Sequence, residues 1–324
     1  MKLNILVVGG CGYIGTHMVK ALLEAGHRPI TLDNLSKGHR ELLPGGDFIQ
    51  GDIQDSGLLD QVFTTHAIDA VMHFAALIEV GESVQQPLKY YRNNVAATMN
   101  LLDAMVRHNV KQFIFSSSAA VYGEPDYTPI DEDHPLRPTS PYGETKLYVE
   151  NILRACDTAY GLKSVCLRYF NAAGADPSGT IGERHDPESH LIPLILQVAI
   201  GQRDSIHIFG TDYPTPDGTC VRDYIHVNDL VAAHLLALDA QMAGAPTTIY
   251  NLGNGSGYSV RQVIDTVVKV TGRAIEVVEV PRRPGDPAVL VASAEKAQKE
   301  LRWHPRRPSL EDIVHTAWNW HRKG

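Results

Sequence analysis

Cysteine is scarce in this 324-residue chain: there are four, Cys11, Cys156, Cys166 and Cys220, with no C-x-x-C pair. Four scattered thiols cannot staple a fold of this size, which excludes a disulfide scaffold, fits a reducing compartment and leaves each cysteine to serve as a small buried hydrophobe. Long apolar runs are lacking too. The longest charge-free apolar stretch, near Leu191 to Gly201, is too short to cross a bilayer, and an apolar strand already begins at residue 3, so neither an anchor nor a leader is expected. Basic charge is in deficit, 29 Lys and Arg against 37 Asp and Glu, for a net charge of -8. That balance disfavours general attraction to nucleic acid or to an anionic membrane. Repeats and low-complexity tracts are absent, which excludes solenoids and flexible linkers. What remains is ordinary globular composition, 44% hydrophobic and 20% charged with 27 Gly and 19 Pro. The chain is about twice a typical domain of roughly 150 residues, enough for one large fold or two lobes in a cytoplasmic protein.

The first half alternates short β-branched runs with amphipathic stretches. Leu3 to Val8, Pro29 to Asp33, Ala70 to Phe74, Gln112 to Ser116 and Ser164 to Arg168 read as strands. Tyr13 to Ala25, Val95 to His108 and Tyr142 to Ala159 read as helices. This rhythm predicts a doubly wound parallel α/β sheet of the Rossmann type. After Asn171 the pattern breaks into Gly, Pro, Asp and His-rich segments, 172–189 and 211–219, with the look of long functional loops. Leu230 to Leu238, Val260 to Val270 and Leu310 to His321 read as helical and Thr248 to Leu252 as extended. The expected division is a dinucleotide-binding domain of residues 1–171 plus roughly 225–253, and a smaller α+β, loop-rich lobe of 172–224 and 254–324.

Strand one runs into Gly9-Gly10-Cys11-Gly12-Tyr13-Ile14-Gly15, a G-x-G-x-x-G between a strand and a helix, and Asp33 ends the next strand. Glycines let the backbone approach a pyrophosphate, helix N-terminal amides meet its charge, and a carboxylate at Asp33 holds an adenosine ribose. The carboxylate would repel a 2′-phosphate, favouring NAD over NADP. The alternative is a tight turn that needs glycines beside an unrelated Asp. Asp52 and Ile53 follow a third strand and either bracket an adenine ring or, for Asp52, cap the next helix.

Tyr142-Gly143-Glu144-Thr145-Lys146 puts Tyr and Lys four apart, on one helix face, behind the helix-starting pair Ser140-Pro141. A free tyrosine has a pKa of about 10 and is a poor base at neutral pH, but an adjacent ammonium and a cationic nicotinamide would stabilise its phenolate. A surface Tyr and Lys pair is the bland alternative. The run Phe115-Ser116-Ser117-Ser118 at a strand end turns the pair into a constellation.

With these residues in place, the chain resembles the extended short-chain dehydrogenase/reductase family and, within it, the UDP-galactose (UDP-glucose) 4-epimerases. The resemblance runs almost end to end, through GGCGYIGTH, LDNLS, HFAA, VGESV, YYRNNV, FSSSAAVYGE, SPYGETK, LRYFNAAGADP, DYPTPDGTCVRDYIHV, YNLGNG and RRPGDPA. It implies reversible 4-epimerisation of UDP-glucose and UDP-galactose through a transient 4-keto sugar, with bound NAD. It implies Tyr142 as base, Lys146 on the nicotinamide ribose and Ser118 on the reacting 4-oxygen. Cofactor contacts are implied for Gly9, Gly12, Tyr13, Ile14, Gly15, Asp33, Asn34, Asp52, Ile53, Phe74, Ala75, Asn94, Tyr142, Lys146 and Tyr169. Nucleotide-sugar contacts are implied for Ser118, Phe170, Asn171, His190, Leu191, Phe209, Arg222, Tyr224, Arg283, Asp286 and Leu290. Arg222 and Arg283 suit a diphosphate because guanidinium forks bind phosphate bidentately. The family also implies a homodimer, through helices spanning Val95 to His108 and Leu147 to Thr158.

Three positions depart from the pattern: Ile78 stands where many relatives carry Lys, His190 where an Asn is usual, and Leu290 where an aromatic is frequent. A rival 4,6-dehydratase or decarboxylase needs carboxylates directly after the position of Ser118, and this chain has Ala119 and Ala120. A UDP-pentose epimerase is a further alternative. A non-catalytic NAD sensor is disfavoured by the intact Ser118, Tyr142 and Lys146 set. No metal is expected, because His185-Asp186-Pro187-Glu188-Ser189-His190 lacks the spacing of a zinc-binding helix. His226 is expected to make a loop contact and His234 to sit in the core or on the surface.

Overall fold

The computed structural model describes residues 2–283 and 285–323. They form two compact units: Met1–Gly123, Leu136–Arg168 and Val231–Tyr250 make the first, and Glu124–Pro135, Tyr169–Leu230 and Asn251–Gly324 the second. Within the span read from sequence as one domain, residues 124–135 cluster with the second unit. The reason is local: Ile130 bridges Ala292, and its carbonyl accepts from the Asn251 side chain at 3.0 Å.

The first unit is built on β1 (Asn4–Val8), β2 (Arg28–Asp33), β3 (Asp47–Gln50), β4 (Ala70–His73), β5 (Gln112–Ser118) and β6 (Lys163–Tyr169). Beyond β7 (Asn171–Ala173), β8 (Ile206–Phe209) and β9 (Val221–His226), the strand β10 (Thr248–Leu252) returns to complete its sheet. The order is β10-β6-β5-β4-β1-β2-β3, and the registered neighbours of β1, β2 and β4 are parallel. These strands read as continuous apolar runs because helices cover both faces. The covering helices are α1 (Tyr13–Glu24), α2 (Ser56–Thr65), α3 (Val80–Gln85), α4 (Pro87–Tyr90), α5 (Ala97–Arg107), α6 (Pro141–Tyr160) and, after α7 (Leu191–Ala199), α8 (Val227–Met242). Leu6, Val8, Ile30, Leu32, Val71 and Phe113 from the strands pack with Leu101, Met105, Val149 and Leu153 from α5 and α6. Each such burial stabilises by about 1.5–3 kcal/mol. The strand order reverses between β1 and β4, the point where ligands bind in doubly wound sheets.

The second unit holds the sheet β11-β9-β13, where β11 is Gly257–Ser259 and β13 is Val289–Leu290, with β7 also paired to β9. A two-stranded parallel sheet joins β8 to β12 (Val277–Val280). Its core gathers Ile192, Ile195 and Leu196 of α7, Val263, Ile264 and Val267 of α9 (Val260–Thr271), and Ile313 and Val314 at the chain's last helix. Ser259 caps α9 in a reciprocal box with Gln262, and Gly272 ends it at φ 67°. After α10 (Glu295–Glu300), α11 (Leu310–His321) starts on a Ser309 cap.

Several expectations shift. The helix expected from Val95 begins at Ala97, and a six-residue π-helical turn, Tyr91–Ala96, precedes it. Cys156 is half-buried rather than buried, since it lies on a partly exposed turn of α6. His226 is no loop residue: it ends β9, fully buried, with Nε2 3.0 Å from Thr316 Oγ1. His234 is a core residue, 5.0 Å from the Phe74 ring. Among the described residues no helix is long and apolar enough to cross a membrane.

Candidate active site

The glycine loop closes on itself, with the Gly12 N–H donating to the Gly9 carbonyl at 3.2 Å. A Cβ on Gly15 would fall 2.1 Å from that carbonyl, so only glycine lets α1 start this close to β1. The N-terminus of α1 has neither a side-chain cap nor an acidic residue in its first turn. Its amides and positive dipole end are therefore available to an anion. Asp33 is buried and locked to the loop: Oδ2 accepts from the Cys11 N–H at 2.9 Å and Oδ1 from the Leu35 N–H at 2.8 Å. Burial raises its pKa, and these two amides oppose the rise.

Next to it, Asn34 donates to Asp52 Oδ2 at 2.8 Å, and Asp52 Oδ1 accepts from the Gln54 N–H at 2.8 Å. Asp52 is thus a turn residue, and the cap of α2 is Asp55. Ile53 is buried, while Tyr13 and Ile14 stand half-buried at the start of α1. The Phe74 and Ala75 amides both donate to the Val8 carbonyl, at 2.8 and 3.1 Å, which fixes the end of β4 against the end of β1. Asn94 is committed inward. Its Nδ2 donates to the Leu77 carbonyl at 3.0 Å and to Thr145 Oγ1 at 3.1 Å, and its Oδ1 accepts from the Leu77 N–H at 2.9 Å. These bonds make it a positioning residue for the 75–78 loop. These residues, with a reserved anion-binding helix end and a ribose-type carboxylate, fit a dinucleotide.

Ser118 ends β5, and its Oγ accepts from the Ala120 N–H at 3.1 Å, opening the single 3₁₀ turn Ala119–Val121. Ser140 starts α6 by accepting from the Gly143 N–H at 3.2 Å, with Pro141 in the first turn. Gly143 sets the approach: a Cβ there would lie 2.4 Å from the Ala120 carbonyl. The helix therefore rests on the Ser118 turn, which sets the Tyr142 hydroxyl beside Ser118. Lys146, one turn on, is 4% exposed, donates to the Ser116 carbonyl at 2.8 Å, and stands 5.9 Å from the Tyr142 ring and 5.0 Å from the Phe115 ring. Burial pulls Lys146 down to about 7, with the Glu150 charge opposing. Burial raises Tyr142, with the Ser118 hydrogen bond opposing. The expected lowering of the tyrosine is not what burial produces: desolvation penalises the phenolate and outweighs the one opposing influence, Ser118.

A buried network missed in the sequence underlies this set. Arg168 of β6 makes a two-pronged bridge to Glu150 of α6, at 2.9 and 2.5 Å, with both side chains essentially unexposed. Ser117 donates to the same Glu150 at 2.6 Å, and Arg168 donates to Tyr122 at 3.0 Å. An Arg inside the apolar strand KSVCLRY was the one available signal.

In the second unit, β-pairing places Asn171 opposite Tyr224 and Leu290 opposite Arg222. Asn171 donates to the Asp223 carbonyl at 2.7 Å. Arg222 Nη2 donates to Asp286 Oδ1 at 2.8 Å, so Asp286 orients this fork. Arg283 lies 3.6 Å above the Phe209 ring. Asn171, His190, Leu191 and Tyr224 line one small pocket with Glu183. Tyr169 ends β6 and Phe170 links it to β7, both half-buried, and Ile78 is on the surface of the first unit.

A family model described as "NAD dependent epimerase/dehydratase family" matches residues 5–253. The chain belongs to that family. It is 58% identical over 319 residues to the UDP-glucose 4-epimerase of Halalkalibacterium halodurans, covering 98% of this chain and 96% of that one. Its fold matches the crystal structure of UDP-glucose 4-epimerase from Brucella ovis in complex with NAD, with a TM-score of 0.96, 47% identity, and 98% and 97% of the two chains covered. The structure from Bifidobacterium longum in complex with NAD+ and UDP gives a TM-score of 0.94 at 42% identity, covering 99% and 98%. Membership in the epimerase/dehydratase family agrees with the reversal point between β1 and β4 and with the Ser118, Tyr142 and Lys146 arrangement.

Proposed function

We propose that this protein is an NAD-dependent UDP-glucose 4-epimerase, interconverting UDP-glucose and UDP-galactose through a transient 4-keto sugar. The observation that carries the reading is the convergence of Ser118, Tyr142 and Lys146 with no carboxylate in the Ala119–Val121 turn that follows. Bound NAD supplies a reversible hydride acceptor and donor at C4 of the sugar. The loop Gly9 to Gly15 and Asp33 hold it, with Asn34, Asp52, Ile53, Phe74, Ala75 and Tyr169 around it. Tyr142 Oη takes the proton of the 4-hydroxyl and gives it back, Ser118 holds the 4-oxygen, and the Lys146 ammonium favours the phenolate. Arg222, Arg283, Phe209, Asn171 and their neighbours grip the nucleotide and diphosphate. A strong hold on UDP and a loose one on the hexose let the ketone turn its other face, a division that binding-energy logic permits. A dehydratase would need an acid and a base for elimination, and the Ala119–Ala120 pair offers neither.

A homodimer is supported by large apolar side chains left exposed on α5 and α6, Met99 at 50% and Tyr148 at 49%. A cytoplasmic location is supported by four free cysteines. The deciding experiment mixes purified protein with UDP-galactose, no cofactor added, and assays UDP-glucose. Product at equilibrium, with NAD rather than NADP released on denaturation, supports the reading, and no conversion even with added NAD refutes it. Sedimentation of the pure protein tests the dimer.

A further inference from the structure

In the second unit, the segment between β7 and α7 brings together Glu183, His185, Glu188 and His190, each offering one ligand atom and all four atoms lying within 4.8 Å of one another. We propose that these side chains form a closed, four-ligand site for a divalent metal of the zinc class, which fastens this segment to the start of α7. The inference is independent of the epimerase reading and revises the expectation of no metal.

Geometry is the first support. His190 Nδ1 lies 2.8 Å from Glu183 Oε1 and 3.3 Å from Glu188 Oε1, and His185 Nδ1 lies 3.2 and 3.7 Å from the same two oxygens. Zinc bonds of about 2.0–2.1 Å in a tetrahedron put neighbouring ligand atoms about 3.3–3.4 Å apart. The four observed edges bracket that value. Both histidines present the same nitrogen, and both carboxylates present one oxygen.

Direction is the second. Glu183 is 3% exposed, and its Oε1 and the buried Nδ1 of His190 make no aligned hydrogen bond with each other or with anything else. Atoms this close but not aimed at one another converge on a common point, as ligands do. Metal ligation takes the imidazoles in their neutral form, and the two carboxylates then carry a charge that a divalent cation cancels. Nitrogen ligands turn such a site away from calcium and magnesium, and four protein ligands leave no open position for catalysis.

Outer contacts hold the ligands in place. Glu188 Oε1 also accepts from the Ser189 and His190 amides at 2.8 and 2.9 Å, and the Glu183 carbonyl accepts from the Trp320 indole N–H at 2.8 Å. Such support is typical of metal centres. His190 is the N-cap position of α7, and it shares with Leu191, Asn171 and Tyr224 the small pocket described above. A bound metal would therefore fix one wall of that pocket. The spacing Glu-x-His-x-x-Glu-x-His lies on a loop, so a helix template does not find it.

The test uses the full-length protein. Elemental analysis after gel filtration in zinc-supplemented buffer should give about one metal per chain, falling at least about tenfold in the double variant His185→Ala, Glu188→Ala. Chelation of the wild type should lower Tm by several degrees, zinc should restore it, and cobalt should give the visible bands of a four-coordinate site. A different first-row divalent metal at the same stoichiometry also supports the proposal. Should the double variant fold poorly, the wild-type chelation and restoration decide. Wild type that holds no metal and whose Tm neither chelator nor zinc moves overturns the proposal, as does a double variant that keeps its metal.

Discussion

Lys146 Nζ donates a 2.8 Å hydrogen bond to the Ser116 carbonyl and stands 5.9 Å from the Tyr142 ring, so one buried ammonium ties the end of β5 to the face of α6 that carries the tyrosine. Its pKa near 7 means that the charge favouring the phenolate is itself marginal at neutral pH. Tyr142→Phe should keep the fold and nucleotide binding but lose about 10²- to 10⁴-fold in kcat. Lys146→Met should lose as much with Tm unchanged or higher, because a buried ammonium costs desolvation. The kinetics and calorimetry of both variants check this; near-normal turnover in the Phe variant would move the base to Ser118.

Gly143 gives a steric test of the same arrangement. A Cβ there meets the Ala120 carbonyl at 2.4 Å and Pro138 Cβ at 3.0 Å, whereas one on Gly81 of α3 meets nothing within 4 Å. Gly143→Ala should push α6 off the Ser118 turn, lowering stability by about 1–3 kcal/mol and reducing kcat more than it changes KM. Gly81→Ala should be neutral or slightly stabilising. Equal behaviour of the two variants would show that the close approach does not position Tyr142.

His73, at the end of β4, is 2% exposed, 2.9 Å from Thr98 Oγ1 through Nε2 and stacked 6.0 Å from the Phe115 ring. Burial, then the Lys146 charge, pulls its pKa down to about 3. A base with a depressed folded pKa stays neutral while the unfolded chain takes up a proton below about 6.5, so stability falls as pH falls through that window. Between pH 6.5 and 5 this amounts to roughly 2 kcal/mol. Urea unfolding across that range should show a shallower decline for His73→Gln than for wild type, and parallel curves would refute the assignment.

The sheet was legible because buried parallel strands leave apolar runs no other element explains, and the glycine loop because its residues answer to backbone geometry alone. Tyr142 and Lys146 were legible as a pair because they lie one helical turn apart. The Arg168 and Glu150 bridge was not, since its partners sit on different elements and only the folded sheet brings β6 under α6. The cap alternative for Asp52 fell on a detail the sequence does not show: the Leu58 amide donates to Asp55. The convergence of Glu183, His185, Glu188 and His190 was not legible for a third reason: it comes from loop geometry, which has no periodicity to read.

Leu290 tests how wide the sugar range is. It lies on β13 opposite Arg222, whose guanidinium is held at 2.8 Å by Asp286, so its backbone is tied to a residue proposed to grip the diphosphate. The resemblance to the 4-epimerases implies that this position borders the sugar's 2-substituent, where a bulky aromatic would restrict space and a small residue would admit an N-acetyl group. Leu is smaller than Tyr and larger than Ser, so UDP-glucose and UDP-galactose should be preferred, with weaker turnover of the N-acetylhexosamine pair. One small apolar contact is worth only about 1–3 kcal/mol, so the discrimination should be graded. The measurement is kcat/KM for UDP-galactose and UDP-N-acetylgalactosamine in wild type, Leu290→Tyr and Leu290→Ser. Tyr should depress the N-acetyl substrate selectively, by about 10-fold or more, and Ser should raise it. If both substrates shift equally, Leu290 does not face the 2-position, and the selectivity has to come from another residue of the second unit.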